Sequence, residues 1–142
     1  MKKFSMALTA FVVGAFTFLP QISVAGTLDE VKKRGILNCI VNTGLPGFSY
    51  TDKSGNWKGF DADMCRSLAA AVLGDGNKVK YIPATGKTRF TLLNSKEGDV
   101  IFRNTTWTFV RDVDVKLTFI HTTYYDGQGF IIRKSKGVKS AK

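Results

Sequence analysis

The side chains best suited to chemistry lie in one polar run, Asn104-Thr105-Thr106-Trp107-Thr108, with Arg111 three residues further on. Hydroxyls and backbone N–H groups beside a guanidinium suit a small carboxylate, because Arg offers a planar two-pronged fork and the hydroxyls add donors. The competing reading is a polar loop whose threonines cap a helix while Arg111 pairs with Asp112 or Asp114. Asp61/Asp63 and Asp112/Asp114 have the spacing of carboxylate pairs for metal or acid–base work. The first pair lies at a predicted helix start, where Asp61 caps the helix and the dipole favours acids; the second reads as surface charge. His121 stands alone, without a nucleophile near it, and reads as structural. Gly74-Asp75-Gly76-Asn77-Lys78 lacks the spacing of a phosphate-binding loop, and Gly127-Gln128-Gly129 is too short for a dinucleotide fingerprint. Phe48, Tyr50, Trp57 and Phe60 have faces that could stack on a ligand or fill a core. No Ser/His/Asp or Cys/His set, CxxC or HExxH motif is present, and a single His cannot anchor a His-rich metal centre. The residues make no case for an enzyme and call for no cofactor.

The elements that must position these residues alternate in type. A helix over residues 27–34 opens on Thr27 and Glu30, which have capping-box spacing, and stops at Gly35. The apolar run 36–41 reads as a buried strand, 42–47 as a loop, and 48–50 with 57–60 as a hairpin. From Asp61 a helix lays Met64, Cys65, Leu68, Ala69 and Val72 on one stripe and ends at Gly74 and Gly76. A strand at 79–83, a helix at 88–94 and a strand at 99–102 follow. Beyond them the pattern predicts a short helix near Arg111 and strands at 117–120 and 127–133. Strand–helix–strand–helix–strand order predicts an α/β unit with a parallel sheet. Ligands in such sheets bind at the loops leaving the strands' carboxyl ends, here 42–47, 84–87 and 103–108. No internal repeat and no linker interrupts the chain.

Length and charge bound the rest. With 142 residues, 44% apolar, the chain has room for one ordinary domain. The formal charge of +10 points towards nucleic acid or anionic membrane until the start of the chain is considered. Lys2 and Lys3, an uncharged, mostly apolar run of 14 residues at 6–19, and Ser23-Val24-Ala25 have the three-part layout of a secretory signal peptide cleaved after Ala25. Fourteen helical residues rise about 21 Å, too short for the roughly 30 Å membrane core. Removing residues 1–25 takes Lys2 and Lys3 from the 21 cations, leaving 19 against 11 acids, net +8 on 117 residues. An exported chain does not meet the chromosome, so the surplus speaks of solubility, anionic envelope surfaces or acidic ligands, with nucleic acid excluded. In the oxidising compartment beyond the membrane, Cys39 and Cys65 either pair or remain as two buried thiols.

Several motifs coincide in order: the export signal, Val41-Asn42-Thr43-Gly44, Gly59-Phe60-Asp61-Ala62-Asp63-Met64-Cys65-Arg66, Arg103-Asn104-Thr105-Thr106-Trp107-Thr108 and Tyr124-Tyr125-Asp126-Gly127-Gln128-Gly129-Phe130. Together they resemble the periplasmic general L-amino-acid-binding proteins of ABC importers, members of the type II solute-binding fold, over residues 27–140. The resemblance implies a two-lobed clamp that closes on a free L-amino acid and delivers it to an inner-membrane permease. Its first lobe is an α/β unit, a mostly parallel sheet flanked by helices. By motif position Arg111 and Thr106 bind the ligand's α-carboxylate, the Asn104 carbonyl meets its ammonium, and Phe48 contacts its side chain. The matching cysteines imply a Cys39–Cys65 bridge. Residues 1–25 then form the signal peptide, 26–125 the first lobe and 126–142 the start of a crossing towards a second lobe. Relatives of this kind have mature chains more than twice as long, so the expectation is a truncated or impaired copy, periplasmic, without a transmembrane segment in the mature chain. Ala62 and Phe102 depart from the family pattern, where larger apolar and smaller residues are usual. The alternative is a secreted basic interaction protein built on a remnant lobe. An enzyme ranks last, because no catalytic set accompanies the likeness.

Overall fold

The computed structural model describes residues 26–115 and 117–140, so the expected signal peptide lies outside the described residues. The chain divides into two units, one ending at Arg103 and one beginning at Asn104.

In the first unit, α1 (Thr27–Arg34) precedes β1 (Leu37–Asn42). The expected capping box does not form: the helix starts one residue earlier, and the Gly26 carbonyl accepts from the Asp29 and Glu30 N–H groups at 3.0 and 3.1 Å. Thr27 is thereby drawn into the helix, while Asp29 and Glu30 in the first turn and Lys32, Lys33 and Arg34 in the last still complement the dipole. Gly35 ends α1 at φ +73°, a left-handed position that costs glycine little. The hairpin pairs β2 (Tyr50–Thr51) antiparallel to β3 (Trp57–Lys58) and leads into α2 (Phe60–Leu73). Next come β4 (Val79–Ala84), α3 (Arg89–Asn94) and β5 (Val100–Ile101).

The sheet runs β4-β1-β5, and β1 is parallel to both neighbours, as the element order predicts. As the central strand β1 is apolar on both faces. Cys39 and Val41 pack with Cys65, Trp57 and Tyr81, while Leu37 packs with Val31 and Ala69 of the two long helices. Ile40 presses towards Gly98, where an added Cβ would lie 2.4 Å from its side chain, so only glycine fits there. The Cys39–Cys65 disulfide is formed and ties the centre of the sheet to α2, both residues being fully buried. Asp99 fastens the far edge: its Oδ2 accepts from the Asn38 N–H at 2.7 Å and pairs with Arg34 at the end of α1. Ala62 is fully buried on α2, and Phe102 lies against the Cys39/Val41 cluster.

The second unit contains α4 (Phe109–Val113), as expected near Arg111, and one 3₁₀ turn at Lys134–Lys136. The strands expected at 117–120 and 127–133 are not formed. Alternating β-branched and aromatic residues favour a pleat, but a strand exists only by hydrogen bonding to a neighbour, and no ladder forms along these residues. Among the described residues no helix is long and apolar enough to cross a membrane.

Candidate functional site

The first unit's site is the carboxyl end of its sheet. The chain leaves β1, returns as β4 on one side, then crosses to β5 on the other, so the loops after β1 and β5 diverge. Such a switch point is where α/β sheets open a crevice. The loop after β1 is tightly bonded. Asn42 Oδ1 accepts from the Gly44 N–H at 3.2 Å, Leu45 N–H donates to the Ser49 carbonyl at 2.7 Å, and buried Ser49 Oγ accepts from the Asn42 N–H at 3.1 Å. Phe48 is half-buried, its ring meeting Phe60 edge-on at 6.3 Å.

This loop, and not Asp61, caps α2. The Phe60 and Asp61 N–H groups donate to the carbonyls of Gly47 and Phe48 at 3.0 and 2.8 Å, and no side chain caps the helix. The approach explains Gly59. Its φ is +110°, and a Cβ there would lie 2.5 Å from the Phe48 oxygen. Freed from capping, the Asp61 carboxylate is only 4% exposed, and its Oδ2 has no hydrogen-bond partner. Burial pushes its carboxyl up to about 6, and the positive charge of Arg103 opposes that rise. The same burial lowers the Arg103 guanidinium, with Asp61 acting the other way. Asp63 points elsewhere: it pairs with Arg66, which also donates to the Trp57 carbonyl at 3.2 Å and the Tyr81 hydroxyl at 3.0 Å. Asp61 and Asp63 therefore do not act as a pair, and no group of three His, Cys, Asp or Glu is assembled for a metal among the described residues.

At the loop after β4, Thr85 and Thr88 hydroxyls meet at 3.1 Å, and Thr85 Oγ1 accepts from the Lys87 and Thr88 N–H groups, both at 3.2 Å. Arg89 is 7% exposed and lays its guanidinium over the Phe90 ring at 4.4 Å. Of the other aromatics, Trp57 stacks on Tyr81 at 5.4 Å, a core contact, whereas Tyr50 is exposed.

In the second unit, Arg111 meets the backbone at Thr106. The Arg111 guanidinium donates to the Thr106 carbonyl at 2.7 Å, and Thr108 caps α4 by accepting from the Arg111 N–H at 3.4 Å. Of the readings weighed from the sequence, the threonine cap is formed, by Thr108, and the guanidinium meets the Thr106 carbonyl. Trp107 stacks almost flat on Phe119, with ring centres 5.5 Å apart. Asn104 and the Thr106 side chain are exposed, as is His121, which holds no place in a core. Sequence reasoning weighed Asp61 only as a cap or as half of a carboxylate pair and gave Arg103 and Arg89 no role; the signal at Asp61 was the Gly59 that lets a loop carbonyl displace it as cap.

A parallel sheet whose loops diverge at one edge marks an α/β unit of the solute-binding type. The chain belongs to the bacterial extracellular solute-binding proteins, family 3, whose profile matches residues 37–141. It is 54% identical over 138 residues to the glutamate/glutamine/aspartate/asparagine-binding protein BztA of Rhodobacter capsulatus, covering 97% of this chain and 39% of that one. It is 56% identical over 117 residues to the general L-amino acid-binding periplasmic protein AapJ of Rhizobium johnstonii, covering 82% and 34%. Among solved structures, an ABC transporter periplasmic binding protein from Brucella ovis with glutathione bound matches with a TM-score of 0.76 at 52% identity, covering 82% of this chain and 37% of that chain. The arginine-bound form of domain 1 from TmArgBP matches with a TM-score of 0.60 at 30% identity, covering 72% and 74%. The chain thus spans between about a third and two fifths of the two curated relatives.

Proposed function

We propose that this chain is the substrate-binding component of an amino-acid ABC importer, which binds free L-amino acids in the periplasm and hands them to an inner-membrane permease. Arg111 and the Thr106 hydroxyl take the α-carboxylate, the Asn104 carbonyl accepts from the ammonium, and Phe48 lies against the ligand side chain. The chemistry is capture and release, with no bond made or broken. Residues 1–25 act as the export signal, 26–125 as the first lobe and 126–142 as the start of the crossing to a second.

The observation that carries this reading is the Arg111 guanidinium held at 2.7 Å by the Thr106 carbonyl. One arm of the fork is fixed by the backbone, which orients the rest and lowers the rotamer entropy lost when a carboxylate binds. Support also comes from the relatives named for amino-acid binding and from a TmArgBP domain 1 whose arginine-bound form covers a comparable stretch of fold. The experiment is thermal melting of the purified mature chain against each common L-amino acid at millimolar concentration. A ligand at a hundred times its Kd stabilises by about 2.7 kcal/mol, and Arg111→Ala should abolish the shift while costing the ligand-free chain no more than one local hydrogen bond, about 1 kcal/mol. If no amino acid moves Tm, the reading is wrong.

A further inference from the structure

The chain holds two Asp-Gly pairs, Asp75-Gly76 and Asp126-Gly127, and amino-acid capture uses neither. This dipeptide carries latent chemistry, because a bond from the following backbone nitrogen to the aspartate Cγ closes a five-membered ring. Glycine, having no Cβ, leaves that nitrogen open to the approach and the peptide free to turn. Whether the ring forms at a useful rate then depends on where the fold holds the carboxyl group.

The two pairs are held differently. At Asp126 the carboxylate folds over its own following peptide: Oδ1 accepts from the Gly127 N–H at 2.7 Å. A carbon–oxygen bond adds about 1.23 Å, so Cγ is within about 4 Å of the nitrogen it would join. Asp126 is exposed, residues 121–133 lie outside any helix or strand, and nothing stands within 4 Å of where a Gly127 Cβ would lie. Water reaches the group, and the peptide turns without breaking a ladder. At Asp75 the half-buried side chain reaches past its neighbour, its Oδ1 accepting from the Asn77 N–H at 2.8 Å. The peptide there is also clamped. The Asp75 carbonyl accepts from the Lys78 N–H at 3.2 Å, and a Cβ on Gly76 would lie 3.2 Å from the Arg66 carbonyl oxygen of α2.

We infer that Asp126-Gly127 is a site of spontaneous backbone isomerisation and that Asp75-Gly76, in the folded chain, is not. The reaction balances with water alone. Gly127 N bonds to Cγ of the protonated Asp126 carboxyl, a Cγ–O bond breaks, and the hydroxyl departs with the nitrogen's proton as water. The resulting succinimide takes water back. Addition at Cγ restores aspartate. Addition at the main-chain carbonyl carbon breaks that carbon's bond to nitrogen and leaves the chain running through Cγ, as isoaspartate. The product has the mass of the original, one more carbon in its backbone and a carboxylate where the main-chain carbonyl stood. The inference stands whether or not the chain binds amino acids.

The test ages the purified chain at neutral pH, folded and in urea, and follows both sites by peptide mass spectrometry with electron-transfer fragmentation to mark isoaspartate. In the folded chain isoaspartate gathers at residue 126 at least about tenfold faster than at residue 75. In urea the two rates come within about threefold of each other, because neither carboxylate is then held. Hydroxylamine, which cleaves a succinimide, cuts the aged folded chain between residues 126 and 127. The Gly127 backbone is not left-handed and the space beside it is open, so Gly127→Ala folds as the native chain does. Its methyl crowds the nitrogen and slows conversion at residue 126 several-fold. Equal rates at the two sites in the folded chain, or no conversion at residue 126, overturn the inference. So does the same ratio of rates folded and in urea, since local sequence and not the held carboxylate would then set it.

Discussion

The two units carry the same family likeness and are held by different forces. The first is held by burial. Cys39, Ile40, Val41, Cys65 and Ala69 are fully inaccessible, and sheet, helices and disulfide close around them. From Asn104 on, no described residue is fully buried, and Phe109, Ile120, Tyr125, Phe130 and Ile131 are all at least 80% exposed. Order there comes from local bonds: a Thr108 cap, an Arg111–carbonyl contact and a Trp107–Phe119 stack. Three of the four proposed ligand residues belong to this second kind of structure. Burial fixes the sheet edge, whereas local bonds of about 1 kcal/mol each leave a segment able to rearrange at little cost.

The contrast breaks most sharply at the disulfide. Its cysteines are 26 positions apart, and removing the bridge by Cys39→Ala with Cys65→Ala releases chain entropy worth about 3.5 kcal/mol. Denaturant midpoints of the oxidised and doubly substituted chains measure the loss. If burial governs only the first unit, fluorescence of Trp57 should follow that transition and Trp107 should not; simultaneous transitions would show one cooperative whole.

Gly59→Ala comes next. The new methyl would meet the Phe48 carbonyl at 2.5 Å in a backbone with φ +110°, so the loop after β1 must move or the start of α2 must unwind. The expected loss is roughly 2–3 kcal/mol by urea titration. The amide shifts of Phe48 and Ser49 should change, and those of Thr106 to Arg111 should not if the local bonds there are self-sufficient.

How much of this was legible in the residues follows the same division. The alternation of strands and helices, the helix stops at Gly35 and Gly74 and the parallel sheet could be read because period and punctuation are local properties of a sequence. The threonine cap of α4 could be read for the same reason, since Thr108 stands one turn ahead of the Arg111 N–H that it accepts from. Thr27 and Asp61 misled because each has the right chemistry for a cap, while a backbone carbonyl, from Gly26 in one case and from Phe48 in the other, does the work. Residues 117–120 and 127–133 misled because propensity describes one strand and pairing needs two. The burial of Asp61 was illegible, since only the folded approach of the Gly47 and Phe48 carbonyls to the start of α2 takes over its capping role.

A smaller effect is expected at Asp99, where burial and local bonding overlap. Its side chain is 6% exposed, accepts from the Asn38 N–H at 2.7 Å and pairs with Arg34. Asp99→Asn keeps the shape, retains an oxygen for Asn38 and removes the charge, which should cost roughly 1.5 kcal/mol. Hydrogen exchange at Asn38 and Val100 would read it. Faster exchange confined to that edge fits a local fastening, and a global rise would mean that the Arg34 pair holds the entire sheet.

The smallest effect tests the other half of the contrast. Ile131 is 100% exposed, so Ile131→Ser removes no buried surface and should change stability by less than about 0.5 kcal/mol in denaturant titration. The same substitution should lower dye binding to exposed apolar surface, because Phe130 and Ile131 present neighbouring side chains to water. A loss above about 1 kcal/mol would mean that Ile131 buries its side chain in solution and that the second unit is held by packing after all. In that case its proposed ligand residues would be as rigidly placed as the sheet edge, and any adjustment on the proposed binding would have to come from elsewhere in the chain.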